Sequence, residues 1–342
     1  MQRAWYYVLR AYVRIGLFFF YRKLVVRGVE QLPPGPILFT PNHQNAFMDA
    51  LLIVCTDHRF TYFLARADIF KKRWARWFLT SLNLLPVFRL RDGLETVANN
   101  QQTFDATTEL FARGHSVIIF PEGNHGSQRR VRALSKGFTR VVFDFVRKHP
   151  NQTIHIVPVG LNYEAHRQFR SSVSILYGQP IAVTAEALVD EKAKAQHLRL
   201  EVAEAMKKLT THIEDAAQHD AIVRQLDEAG VDYLDPKQSN ALVALVAEGT
   251  PLTPVTATHR RKINPWWQWL HAPPLAVWKR LHKRIKDPVF VASLKFAFGL
   301  FVVPVYYMVV GALLFWAASG WVAAGVCALL IVSTLVTVRT RG

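Results

Sequence analysis

Cysteine is nearly absent: Cys55 and Cys327 are the two in 342 residues. A pair so far apart gives neither a disulfide framework nor a thiolate metal cluster, and it suits a reducing compartment. Acidic residues are scarce too, 25 against 42 Lys and Arg, for a net charge of +17. A strongly basic chain usually meets nucleic acid or anionic lipid. Nucleic acid is disfavoured, because no basic helix, zinc-ligand set or aromatic RNA-binding signature accompanies the charge. His115, His125, His155 and His166 lack metal-ligand spacing. No small-residue cleavage site follows the apolar N-terminal stretch, which argues against a secretory signal. Apolar residues, by contrast, make up 51% of the chain. Apolar spans with a basic surface fit a protein held against an anionic phospholipid membrane.

Two uncharged apolar runs, residues 296–316 and 321–338, are each long enough to cross a bilayer core, which takes ~20 residues. Lys279, Arg280, Lys283, Arg284, Lys286 and Lys295 precede the first run, and Arg339 and Arg341 follow the second. The connection between them is uncharged. By the positive-inside rule both ends are cytoplasmic, and residues 296–338 form two transmembrane helices with the tip of the hairpin outside. A buried helical pair in a soluble core is the alternative. Near the N-terminus, Trp5, Tyr6, Val8, Leu9 and Tyr12 are interspersed with Arg3, Arg10 and Arg14. That mixture suits an amphipathic helix in the interface over residues 1–21, or one docked on the globular part. Residues 186–249 read as a helical extension whose first part, rich in Ala, Glu, Lys and Leu, is expected to be exposed. Residues 250–295 read as a linker and then an interfacial segment with Trp266, Trp267 and Trp269.

Between residues 22 and 185, short apolar runs alternate with helical stretches. Strands are expected at 37–40, 61–64, 86–88, 117–120, 155–161 and 172–177, and helices at 46–56, 69–82, 93–112 and 136–148. Several of the strands are continuously apolar, as a sheet covered on both faces requires. The fold class is therefore α/β: a mixed, largely buried sheet flanked by helices, with ligands near strand ends. Pro158, inside Ile156-Val157-Pro158-Val159-Gly160, points to an edge strand or a bulge there.

One stretch carries candidate chemistry. The apolar run Ile37-Leu38-Phe39 leads into Pro41-Asn42-His43-Gln44-Asn45-Ala46-Phe47-Met48-Asp49. A histidine takes a proton near neutral pH, and a carboxylate can fix its tautomer and stabilise the imidazolium. Six positions along a regular helix turn about 600°, so the two side chains meet only if His43 sits in a loop before the helix. Asn45 reads as the N-cap of that helix. With no Ser or Cys beside it, such a dyad suits a substrate that brings its own hydroxyl. A cap at a helix start is the plainer reading of the same residues.

Three more segments end expected strands. Phe88-Arg89-Leu90-Arg91 offers guanidinium forks suited to a phosphate. Phe120-Pro121-Glu122-Gly123 runs into Asn124-His125-Gly126-Ser127, where Glu122 can accept bonds from substrate hydroxyls or simply cap a turn. The third is Val157-Pro158-Val159. Arg129, Arg130, Arg132, Lys136 and Arg140 form a basic cluster that could bind a phosphate or CoA, with a solvated face against headgroups the preferred reading.

In this order the four segments resemble the phospholipid/glycerol acyltransferase family, over roughly residues 20–180. The family's commonest form has four residues between His and Asp, whereas five separate His43 from Asp49. Its third block usually continues Thr-Arg-Ser, where this chain has Asn124-His125-Gly126-Ser127. Both departures resemble the branch with eukaryotic glycerol-3-phosphate and dihydroxyacetone-phosphate acyltransferases. The resemblance implies an O-acyltransferase acting on a glycerol-phosphate acceptor, 1-acylglycerol 3-phosphate first and glycerol 3-phosphate second. Its donor is acyl-CoA or acyl-carrier protein, and no metal or cofactor is needed. His43 and Asp49 are then catalytic, Arg89 and Arg91 hold the phosphate, and Glu122, Gly123 and Ser127 shape the acceptor pocket. A non-catalytic membrane lipid-binding protein on the same fold is the alternative of another class.

Overall fold

A computed structural model describes residues 2–87, 99–254 and 269–339. Arg89 and Arg91, with Phe88 and Leu90, lie outside these residues, as do Trp266 and Trp267. The segment that carries the candidate site is an eight-stranded sheet. Its strands are β1 (Lys23–Arg27), β2 (Ile37–Pro41), β3 (Thr61–Arg66), β4 (Leu84–Val87), β5 (Ser116–Ile118), β6 (Ile154–Tyr163), β7 (Ser172–Tyr177) and β8 (Ile181–Val183). The order is β1-β7-β6-β2-β5-β3-β4, with β8 also pairing β6. Pairings of β6 with β7 and with β8 are antiparallel and the rest are parallel, so the sheet is mixed as expected.

Side-chain alternation along the strands divides the apolar residues between two cores. Ile37 and Phe39 of β2 and Val157, Val159 and Leu161 of β6 face one core. Helices α1 (Gln2–Phe20) and α2 (Phe47–Thr56) cover it through Leu17, Met48, Leu52 and Ile53. Leu38, Val117, Ile154 and Ile156 face the other. There α4 (Asn99–Ala112), α5 (Gly137–Lys148) and α6 (Glu191–Leu209) supply Phe111, Phe138, Phe145 and Met206. Each such side chain contributes about 1.5–3 kcal/mol on burial. Helix α3 (Arg73–Ser81) lies between β3 and β4 and leaves Trp74 and Trp77 exposed.

Several expectations change. Pro158 is in a central strand, neither an edge nor a bulge: it pairs Thr40 of β2 on one side. On the other it falls between Ile154–Ile156, which pair β8, and Val159–Tyr163, which pair β7. The proline's missing N–H thus meets the place where the neighbouring chain passes from one strand to the next. The 69–82 helix is split into a 3-10 turn, Ala67–Phe70, and α3, because Lys72 is extended between them. Helix α6 is not simply exposed, since Leu198, Val202 and Met206 are buried. Gly160 of β6 lets its end approach: a Cβ there would lie 2.0 Å from the Leu209 carbonyl oxygen. After it, α7 (His219–Glu228) and α8 (Pro236–Ala247) gather a separate small core around Ile213, Leu226 and Val243.

Helix α1 docks on the sheet through Tyr6, Val13, Leu17 and Phe20, while Trp5, Val8, Ile15 and Phe18 on its other side are exposed. The chain then continues through α9 (Ala272–His282), α10 (Phe290–Ala317) and α11 (Gly320–Arg339). By length and composition α10 and α11 are sufficient to cross a membrane. They leave Phe301, Met308, Phe315, Trp316 and Trp321 exposed, an apolar surface unusual for a protein wholly in water.

Candidate active site

The loop between β2 and α2 brings His43 and Asp49 together. His43 Nδ1 lies 2.8 Å from Asp49 Oδ2. The same oxygen accepts the backbone N–H groups of Gln44 at 2.9 Å and Asn45 at 2.7 Å. The other carboxylate oxygen accepts the Tyr163 hydroxyl at 2.5 Å. Asp49 is fully buried, and a buried charge survives only with such complete pairing. Its bond assigns the proton of a neutral His43 to Nδ1 and leaves Nε2 bare, the arrangement of a general base. The imidazole is stacked on Phe120, centroids 3.8 Å apart and planes 19° from parallel.

The loop's geometry corrects the expected cap. Asn45 does not close the start of α2; its Nδ2 donates to the His166 carbonyl at 2.9 Å. Asp49, from inside the first turn, instead accepts the N–H groups of Gln44 and Asn45, which precede the helix, and so bends the chain back on itself. Ala46, in between, has φ 43° and ψ −126°. This is a left-handed conformation that costs a non-glycine residue about 1–3 kcal/mol and requires surrounding bonds to hold it.

Glu122 follows the same Phe120 by two positions. Its side chain is 1% exposed. Arg132 Nε donates to Oε2 at 2.8 Å and the Arg132 terminal nitrogen donates to the same oxygen. Oε1 is buried with no hydrogen-bond partner among the described residues. Burial pushes the Glu122 carboxyl up, against Arg132 and then His43, which pull it down. Arg132 also reaches Asn124. Neither Arg132 nor Arg129 belongs to a solvated basic face. Arg129 is 7% exposed, donates to the Tyr163 carbonyl at 2.9 Å and lies 3.4 Å over the Tyr233 ring. Both guanidinium groups replaced water by carboxylate, carbonyl or ring partners inside the fold.

Gly123 turns the chain after Glu122 at φ 74°, and nothing lies within 4 Å of where its Cβ would be. Gly126 N–H donates to the His43 carbonyl at 3.0 Å, which places Ser127 next to the dyad's loop on the exposed side. His125 packs edge-on to His43 with centroids 5.7 Å apart, and burial depresses its pKa. The structure therefore gathers His43, Asp49, Glu122, Gly123 and Ser127 at one end of the sheet.

Sequence reasoning missed Tyr163, Arg132, Gln44 and His166. Tyr163 ends β6 two residues beyond the expected strand, so its position was there to be extended. Its hydroxyl remains a donor, because burial and then the Asp49 charge raise its pKa well above the ordinary value. His166 Nε2 is 2.9 Å from Gln44 Oε1. Burial, with Arg129 and Arg167 nearby, lowers the His166 pKa from 6.5 to about 3. A folded-state pKa below the unfolded one means that stability is complete above pH ~6.5 and is lost as pH falls toward ~3. The wild-type melting temperature should fall through that window, and a His166→Gln variant should show a flatter profile in thermal melts.

A family model described as Acyltransferase matches residues 23–162. Glycerol-3-phosphate O-acyltransferase 1 of Saccharomyces cerevisiae is 32% identical over 78 residues, 23% of this chain and 10% of that protein. The chloroplastic 1-acyl-sn-glycerol-3-phosphate acyltransferase LPAT1 of Arabidopsis thaliana is 25% identical over 134 residues, 39% of this chain and 35% of that protein. The similarity thus spans about a tenth and a third of these relatives. Among solved structures, the 1-acyl-sn-glycerophosphate acyltransferase PlsC from Thermotoga maritima aligns at 22% identity and a TM-score of 0.43, covering 60% of this chain and 79% of that one.

Proposed function

From the match of residues 23–162 to the family model described as Acyltransferase, we propose that this chain transfers a fatty acyl group from acyl-CoA or acyl-carrier protein to a glycerol-phosphate acceptor at a membrane. The observation that carries the reading is the 2.8 Å contact of His43 with a buried, fully bonded Asp49. His43 Nε2 takes the proton of the acceptor hydroxyl as its oxygen attacks the thioester carbonyl. The tetrahedral intermediate then expels the thiolate, which receives that proton from the imidazolium. Glu122 Oε1, buried and without a hydrogen-bond partner among the described residues, accepts a hydroxyl of the acceptor. Gly123 and Ser127 border the pocket, and Arg89 and Arg91 hold the phosphate. The reaction uses no metal or cofactor.

We assign 1-acylglycerol 3-phosphate as the acceptor, because α10 and α11 would hold the site against a bilayer where such a lipid resides. The basic flanks put the site on the cytoplasmic side. Glycerol 3-phosphate or dihydroxyacetone phosphate is the second reading, favoured by the five residues between His43 and Asp49. The test is the full-length protein in nanodiscs with labelled acyl-CoA or acyl-carrier protein and a panel of acceptors. Transfer to 1-acylglycerol 3-phosphate above all others is expected. Transfer only to glycerol 3-phosphate replaces the first acceptor by the second. Lipid binding with no transfer to any acceptor makes the chain a binding protein.

A further inference from the structure

Away from the dyad, an apolar groove of about 570 Å³ lies between α1, α9, α10 and α11. Phe19 of α1, Trp278 of α9, Val303 of α10 and Ile331 of α11 are among its walls. Two features of α10 keep it open. Gly299 lines the groove, and nothing lies within 4 Å of where its Cβ would be. Pro304, one turn on, has no N–H for the Leu300 carbonyl, which the Tyr12 hydroxyl of α1 satisfies instead.

The groove has polar groups near Lys295 at one position along α10 and near Tyr307 at another. Tyr307 is occupied by its own neighbours: its hydroxyl lies 2.7 Å from His271 Nε2 and 2.8 Å from Thr334 Oγ1. Lys295 Nζ donates to the Arg167 carbonyl at 2.7 Å, and an ammonium has three donors. From Lys295 to Tyr307 the helix rises about 18 Å, at about 1.5 Å per residue.

The Lys295 end adjoins the candidate site. Ser293 Oγ donates to the Asn45 carbonyl, at 3.4 Å, in the loop that joins His43 to Asp49. Phe290 packs edge-on to His125, whose ring meets His43. Phe296 packs against Phe20 and Phe20 against Phe169, next to the 166–167 segment that binds Asn45 and Lys295. Phe290 and Lys295 are separated by about 7.5 Å of helix rise.

We propose that this groove holds the single hydrocarbon chain of the lysophospholipid acceptor. The ester carbonyl of that chain accepts a bond from Lys295, the chain runs along α10 toward Tyr307, and the free hydroxyl is left at His43. The inference rests on the acyltransfer reading for the last point alone. Its groove elements α9, α10 and α11 lie outside the residues matched by the family model. An apolar lining whose Lys295 edge has N–H donors beyond the one given to Arg167 fits an ester-linked chain better than a free headgroup, and that edge adjoins the loop that carries His43.

Gly299→Phe fills the open space, whereas Gly299→Ala leaves most of it. Full-length wild type and both variants in nanodiscs would be given 1-acylglycerol 3-phosphates with C16 or C6 chains. Transfer and, separately, lipid retention by native mass spectrometry would be measured. For Gly299→Phe we expect KM for the C16 acceptor to rise about tenfold or more, the loss of two or more buried methylenes. Retention of the C16 lipid should fall with it, kcat/KM for the C6 acceptor should fall far less, and Gly299→Ala, which adds one methyl group, should lie between wild type and Gly299→Phe. Equal losses for C16 and C6, or unchanged C16 retention, overturn the proposal. So does a change in affinity for the acyl donor alone, which would assign the groove to the donor's chain. If wild type retains the C16 lipid and Gly299→Phe does not, yet neither transfers, the groove stands and the acyltransfer reading falls.

Discussion

Replacing His43 with alanine should lower acyl transfer by about two to four orders of magnitude and leave lipid retention unchanged. That is the usual contribution of one positioned general base. The ring packs on Phe120 and bonds Asp49, and 15% of its side chain remains accessible, so its removal costs the fold little. Asp49→Ala should behave differently. It leaves His43, two backbone N–H groups and the Tyr163 hydroxyl without their acceptor, so activity and melting temperature should fall together. Combining the two substitutions should cost no more activity than His43→Ala alone, because the carboxylate acts through the imidazole. Rates and thermal melts on the four proteins test the assignment. Full transfer by His43→Ala would remove the proposed mechanism.

The second large effect is expected at Arg132. Arg132→Ala removes the guanidinium that pairs with the Glu122 carboxylate, in a place where the Glu122 side chain is 1% exposed. Leaving a buried charge uncompensated costs about 3–5 kcal/mol. Burial already holds the Glu122 pKa above 4.5, and without Arg132 it rises further. A raised carboxyl contributes stability that is complete below the unfolded pKa and is lost as pH rises through the folded one. The variant should therefore melt closest to wild type near pH 4.5 and fall increasingly behind toward neutral pH. Arg132→Lys should recover part of the loss. Parallel melting curves with the same gap at every pH would show that Arg132 does not act through the Glu122 charge.

The parts of the fold legible in the sequence were those set by local pattern. Ser172–Tyr177 matched its expected bounds, and β2 and α5 differed by one residue, because continuous apolar runs and amphipathic turns are signals carried within a few positions. Strand β1 was missed because Lys23 and Arg27 bracket only three apolar residues, and β8 because it is three residues long. Pro158 was misplaced for a different reason: whether a strand is central depends on partners far along the chain. The dyad was legible because loop and helix start are close in sequence. Tyr163 reaches Asp49 from 114 residues away, and Arg132 finds Glu122 only after the intervening loop closes. A run of arginines looks alike whether water or a carboxylate surrounds it, so charge count alone misread Arg129 and Arg132.

The four bonds to Asp49 also bear on how degenerate relatives of this chain should be read. Selection for foldedness alone would retain that aspartate, since the loop and the end of β6 depend on it. The neighbouring imidazole has no comparable structural debt and is free to drift once turnover no longer matters. A pseudoenzyme on this scaffold should thus keep its acid and lose its base, making position 43, rather than position 49, the informative one when active and silent descendants are sorted.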